Sequence, residues 1–200
     1  MLWKSDIPPT VEKVELRKDP VIIRVNKFNE EAAEKFHASM AYAHNTGQSV
    51  IPIVIDSYGG EVYSLLSMIS AINHSELPVA TIIEGKAFSC GAVLFTFGAE
   101  GLRFMDAEAT IMIHDVASGG FGKVEDLKAN AGESDRLNKK IYIMMARNCG
   151  KKEDHFTKIT HKKGHADWFL DSEEAKKHNL ANHIRVPTLK LTVTLDIDLE

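Results

Sequence analysis

Cysteine is nearly absent from this chain: Cys90 and Cys149 are the only two in 200 residues. With no third or fourth cysteine there is no disulfide framework and no CxxC pattern for a metal, and a reducing compartment fits the chain best. A long uncharged run is also missing, since none reaches the ~18 apolar residues that a membrane-spanning helix needs. The first residues, "MLWKSDIPPTVEK", contain no apolar stretch of the kind a secretion signal carries. Basic charge is not in excess either. The formal net charge is −4, which argues against the clustered positive surface of a nucleic-acid binder. The pairs Lys151–Lys152 and Lys162–Lys163 read as solvated faces. These absences leave a cytoplasmic globular protein with no membrane and no nucleic-acid partner. Its 44% hydrophobic and 26% charged residues are ordinary for that class. A chain of this length buries roughly 70% of its unfolded surface and needs no cross-links.

What is present is an alternation of strands and helices. "VIIRV" (21–25) reads as a buried strand, and Asn29 caps a helix over 30–45 with Ala33, Phe36 and Met40 on one face. "VIPIVIDS" (50–57) is a second strand, in which Pro52 marks an edge or a strand start. A helix over 61–73 follows the turn "YGG", then a strand at 79–83, a short all-apolar helix at 89–98, and strands at "LRFM" and 110–114. Such alternation predicts an α/β protein with a parallel sheet and right-handed crossovers. Ligand sites in such sheets lie beyond the carboxyl ends of strands, where "DSYGG" and "EGKAFS" are expected as turns.

The second half reads differently. A glycine-rich stretch, "SGGFG", precedes a helix from about Lys123 to Asn148, polar in its first part and with Leu137, Ile141, Met144 and Met145 inward in its second. A helix polar at one end projects from its own core toward water or another subunit. Gly132 costs about 1 kcal/mol against alanine and makes a break there conceivable. The last residues, "TLKLTVTLDIDL" (188–199), alternate strictly and read as a half-buried strand of ~40 Å that needs a partner.

The chemistry is concentrated in "TIIEGKAFSCGAVLF", where Ser89 stands between Gly85 and Gly91 at the start of a helix. A hydrolytic serine needs a base, a group that orients the base, and N–H donors for the oxyanion. Unpaired N–H groups at a helix start make that of Cys90 one such donor, and the "YGG" turn can supply a second. His114, at the end of the apolar strand "TIMIH", is the candidate base. Spacing does not choose the acid: Asp115, Asp126, Asp135, Asp154 and Asp167 all follow His114. An α/β-hydrolase elbow would need Gly-x-Ser-x-Gly, but Ala87 occupies the first glycine position. Its chain order would pair Asp115 or Asp126 with His161 or His165. The i, i+4 pair His161 and His165 lacks the HExxH context of a zinc site, and no metal or cofactor is expected. Cys90 reads as a small buried hydrophobe, and Ser57 and Tyr58 as structural turn residues.

Four segments, "IDSYGGEV", "EGKAFSCGAVLFTFGAEGLRF", "TIMIHDVASGGFGKVEDL" and "DWFLDSEEAKKHNLANHI", resemble the signatures of the Clp protease proteolytic subunit family, ClpP, over roughly residues 50–185. In that resemblance Ser89 matches the nucleophile of Gly-x-Ala-x-Ser-x-Gly-Ala, His114 the base of Met-Ile-His, and Asp167 the acid before Phe-Leu. It implies a ClpP/crotonase fold of repeated ββα units over 21–187, with a handle of strand plus long helix over about 115–148, an N-terminal arm over 1–20 and an extra strand over 188–200. It further implies a serine endopeptidase that cleaves unfolded polypeptides inside a chamber of stacked heptameric rings, fed by an AAA+ unfoldase. The backbones of Gly60 and Cys90 would hold the oxyanion, and Gly119, Gly120 and Gly122 would bind peptide by strand addition. The alternatives are a ring subunit without catalysis and an acyl-CoA enzyme of the related crotonase fold. Three features depart from the family pattern. Asn-Ser-Pro-Gly-Gly reads Asp56-Ser57-Tyr58-Gly59-Gly60; Pro52 and Val54 replace aromatics of the docking strand while Phe104 remains; and the N-terminus does not match the axial-pore segment. The second departure argues against docking of a standard unfoldase.

Overall fold

A computed structural model describes residues 20–189. The expected arm before residue 20 and nearly all of the C-terminal strand lie outside the described residues.

The chain alternates as read: β1 (Ile23–Val25), α1 (Glu30–Ala43), β2 (Ile51–Ser57), α2 (Val62–Asn73), β3 (Val79–Phe88), α3 (Cys90–Phe95), β4 (Arg103–Met105) and β5 (Thr110–Ile113). Then come α4 (Val124–Asn148), α5 (His155–Lys162), β6 (Trp168–Leu170), α6 (Ser172–Lys177) and β7 (His183–Ile184). The sheet runs β1-β2-β3-β4-β7, with β5 pairing β3 and β6 off this path. Every pairing is parallel except β5 with β6. Helices cover the apolar face, where Ile53, Ile55, Leu65, Met68, Ile83, Leu94 and Met105 are fully buried. Local signals account for the helix starts: Asn29 accepts the N–H of Ala32 at 2.9 Å, and Asp171 does the same for Glu174 at 2.8 Å.

β2 is not an edge strand, yet it carries Pro52. The N–H of Ile51 bonds Pro78 beside β3, so the missing N–H of Pro52 would have pointed toward β1. The ladder with β1 begins only at Ile53, so no ladder bond is lost. Proline at the strand start is therefore the reading that holds.

"EGKAF" is strand rather than turn, because β3 continues to Phe88. Its first part pairs β4 at Thr81–Ile83, and its last part pairs β5 at Lys86–Phe88. Against β2, Ile83 matches Ile55 and Ala87 matches Ser57, so three residues of β3 oppose the single Asp56. That bulge bends β3, whose end then pairs β5 instead of β4. Gly85 sits inside it, where a Cβ would come 3.2 Å from the Asp56 carboxylate.

α4 runs unbroken through Gly132, which has open space around it. Its first half is exposed, and Leu137, Ile141, Tyr142, Met145 and Ala146 of the second half are buried. Tyr142 takes an inward place that the apolar pattern had not assigned. Residues 114–123, expected to include the handle strand, carry no regular structure, and Phe121 is fully exposed. A strand needs a ladder partner, and none of the described strands pairs there. Arg103 is a buried charge that the sequence reading missed. It is 1% exposed and donates to the carbonyls of Leu180, Gly98 and Asn179 and to Glu100.

Candidate active site

Ser89 is the residue on which β3 becomes α3. Its backbone stands at φ 53°, ψ −119°, a region that L-residues rarely occupy and that costs of order 1–3 kcal/mol. The surroundings hold it there. Its N–H donates to Met112 at 2.8 Å, extending the β3–β5 pairing by one bond, and its carbonyl accepts Val93 in α3. The sharp turn lifts the Oγ out of the sheet, half-buried, over the first turn of a buried helix.

The second wall is the "YGG" turn. Gly59 (φ +102°) and Gly60 (φ +151°) adopt conformations that favour glycine, and both positions are also crowded. A Cβ on Gly59 would lie 2.7 Å from the Ser89 Cβ, and one on Gly60 would lie 2.3 Å from the Phe28 carbonyl. Ser57 fastens the turn, donating to Asn26 and accepting the Gly59 N–H, both at 3.0 Å. Tyr58, 75% exposed, lies under the Lys86 ammonium at 4.4 Å and meets Phe88 edge-on at 5.7 Å. Asp56 accepts the same ammonium at 2.8 Å, which raises the Lys86 pKa. Asp56 and Tyr58, the two unusual residues of this turn, thus share one partner.

Ser89, Gly60, Cys90 and His114 line a cavity of ≈ 100 Å³ whose remaining wall is mostly apolar, from Val62, Ile113, Val116, Ile141 and Met145. Gly60 and Cys90 line the cavity together with the serine. The bridge from this turn to Phe28 is closed by the Glu61 N–H at 2.8 Å, which leaves that of Gly60 free of it. Cys90 turns its Sγ to the Gly60 carbonyl at 3.2 Å, and burial pushes its thiol pKa up to about 11. A thiol so protonated is a packing group, not a competing nucleophile. A larger groove, ≈ 320 Å³, runs along β1 and α1 but brings no serine and histidine together.

His114 follows β5 and is half-buried. β5 and β6 are antiparallel with Ile113 opposite Trp168, so one further step of that register sets His114 opposite Asp167. Asp167 is exposed, and no hydrogen bond joins Ser89, His114 and Asp167 to one another. Just beyond them, Asp115 accepts the Tyr142 hydroxyl at 2.7 Å and meets His165 Nδ1 at 2.5 Å. The acid–histidine pair of the alternative chain order therefore forms, but neither member lines the Ser89 cavity. The rings of His165 and His161 lie tilted against each other with centres 4.6 Å apart, and among the described residues no three metal-ligating side chains converge. Gly119, Gly120 and Gly122 lie on the exposed segment that leaves the cavity wall at Val116 and Ala117. Asn138 of α4 pins its start by accepting the Val116 N–H at 2.6 Å.

A strained serine at a strand-to-helix turn, with a histidine and free N–H donors around one small cavity, is a constellation suited to acyl transfer. Comparison of the sequence with protein families finds the Clp protease family matching residues 11–187. The chain belongs to the Clp protease family. One curated relative, ATP-dependent Clp protease proteolytic subunit 1 of Rhodopirellula baltica, is 33% identical over 138 residues. That match covers 69% of this chain and 59% of the relative, so the chain spans well under two thirds of that relative's length. The mixed α/β architecture with its largely parallel sheet fits the family's fold. Among the described residues no helix is long and apolar enough to cross a membrane.

Proposed function

We propose that this chain is a serine endopeptidase subunit of the ClpP type, with Ser89 as nucleophile, His114 as general base and Asp167 as the group that orients it. The observation that carries this reading is the forced backbone of Ser89, at φ 53° beside the Gly59–Gly60 turn, in one cavity with His114. Strain of this kind persists where surroundings over-determine it, and active sites are where it collects.

His114 takes the Ser89 hydroxyl proton as Oγ attacks a peptide carbonyl. The carbonyl oxygen gains charge between the N–H groups of Gly60 and Cys90, and a single such donor is worth about 10²–10³ in rate. His114 then protonates the departing amine, and water, activated by the same imidazole, releases the acyl group. Hydrogen bonds of such a set are often long without substrate and tighten when it binds. The apolar cavity receives the side chain preceding the cleaved bond, and the segment of Gly119, Gly120 and Gly122 receives the peptide backbone as an added strand. The exposed start of α4 and the bare Phe121 support assembly through that segment, in stacked rings enclosing the Ser89 sites. An AAA+ unfoldase is the partner class such a chamber requires. Pro52 and Val54 alter the surface on which it would dock.

The Ser89→Ala variant should lose cleavage of unfolded casein and of a fluorogenic peptide, and a fluorophosphonate should label Ser89 of the parent. A parent left unlabelled in assembled form would leave the chain as a ring component without catalysis. Co-purified CoA would favour the acyl-CoA chemistry of crotonase-like folds. One observation supports a second reading: the Asp115–His165 pair matches the order serine, acid, histidine. His114→Ala abolishes labelling under the first reading and spares it under the second.

A further inference from the structure

Asp115 and His165 are the immediate flanks of the groups assigned to proton transfer. Asp115 follows His114, and His165 precedes Asp167 by two residues. Their contact, His165 Nδ1 to Asp115 Oδ2 at 2.5 Å, crosses between the two strand ends just past the last β5–β6 pair. Past that pair the ladder offers nothing further to keep His114 and Asp167 abreast. The loop carrying Asp167 leaves α5 through two consecutive left-handed residues, Gly164 at φ +67° and His165 at φ 61°. Glycine accepts that conformation readily; histidine does so at a cost that its surroundings must offset. The tie to Asp115 is the polar side-chain contact that offsets it, beside the His161 ring. Asp115 is held in turn by the Tyr142 hydroxyl at 2.7 Å, from the buried half of α4.

We propose that the Asp115–His165 pair is a clamp that positions the acid-bearing loop against the strand end carrying the base, so that Asp167 stays within reach of His114. The clamp rests on the peptidase reading above. It touches no substrate: His165 and Asp115 lie outside the Ser89 cavity and act through His114 and Asp167. The pair is anchored unequally. Tyr142, from the buried half of α4, fixes Asp115, whereas the His165 side chain is 53% exposed and otherwise meets only the His161 ring, so the loop is the part that moves when the clamp opens.

The test uses the full chain and two rates: phosphonylation of Ser89 by a small fluorophosphonate, and turnover of a short fluorogenic peptide. His165→Ala and Asp115→Asn should each slow phosphonylation and kcat tenfold or more while KM changes less than twofold. His165→Gln, whose amide can still donate to Asp115 but cannot act as a base, should recover to within threefold of the parent. Full-rate labelling of Ser89 in His165→Ala overturns the clamp and leaves the peptidase reading standing. Loss that only follows the unfolded fraction, measured by circular dichroism at the assay temperature, also overturns it. A His165→Gln variant as slow as His165→Ala, with His114→Ala still labelled, makes His165 the base and overturns it too. A parent never labelled at Ser89 sinks the peptidase reading and takes the clamp with it.

Discussion

Replacing Ser89 by glycine and by alanine separates two properties that a native serine combines here. Both variants lose the hydroxyl and should be inactive. They differ in what remains at φ 53°, ψ −119°, where alanine keeps the Cβ that makes this conformation costly and glycine does not. Relief of the strain is of order 1–3 kcal/mol. Against it stand the extra freedom of glycine in the unfolded chain, about 0.5–1 kcal/mol, and the loss of one half-buried carbon, about 0.4 kcal/mol. The net is about 1 kcal/mol in favour of Ser89→Gly over Ser89→Ala, or roughly 2–4 °C in Tm for a chain of this size. Differential scanning calorimetry at equal protomer concentration is the assay, because assembly makes Tm depend on concentration. A glycine variant less stable than the alanine variant would refute the reasoning, since it would mean the turn around Ser89 is relaxed rather than forced.

Two further outcomes follow from buried groups. Arg103→Leu should destabilise the chain by on the order of 3 kcal/mol, read from the midpoint of urea unfolding, because it leaves the buried carbonyls of Leu180, Gly98 and Asn179 without their donor; an unchanged midpoint would show that water reaches them. Burial raises the Cys90 thiol from its ordinary value to about 11 and that of Cys149 to about 12. Because the folded values lie above the unfolded one, their stabilisation is whole below pH 9 and is lost as pH rises through 11–12. Chemical denaturation across that window should show stability falling with pH, and in Cys90→Ala with a shallower slope; a flat profile would contradict the burial.

Most of the architecture was legible because the signals are local. Apolar runs at period 2 and faces at period 3.6 placed seven of the first eight elements to within a few residues, and the long helix began one residue from its expected start. Errors arose where partners rather than propensities decide. "EGKAF" contains glycine, glutamate and lysine and reads as a turn, yet it is strand because β5 lies alongside and a bulge against Asp56 absorbs its awkward residues. The handle strand expected within 114–123 came from the family resemblance rather than from these residues, and no described strand pairs with it. Tyr142 can be buried because Asp115 supplies an acceptor for its hydroxyl, a partner that the helical pattern does not reveal.

The acid shows how far spacing can reach. Eight aspartates follow His114, and nothing in the chain distances of the five candidates ranks them, because the register that sets one of them against His114 comes from a single antiparallel pairing. With coordinates, each can be weighed by its neighbours. Asp126 stands in the exposed half of α4. Asp135 and Asp154 serve lysines one helical turn away, Lys139 and Lys158, each at 2.6 Å. Asp115, although adjacent to His114 in sequence, points away from the cavity and is engaged by Tyr142 and His165. Alternation explains that direction: successive residues past a strand end face opposite sides, so the neighbour of a cavity-facing histidine is the residue least able to orient it. Asp167 alone lies opposite His114 when the register of Ile113 with Trp168 is carried one step further. Among the described residues it has no ion-pair or hydrogen-bond partner of its own, so under the proposed reading its carboxylate is open to the His114 imidazole.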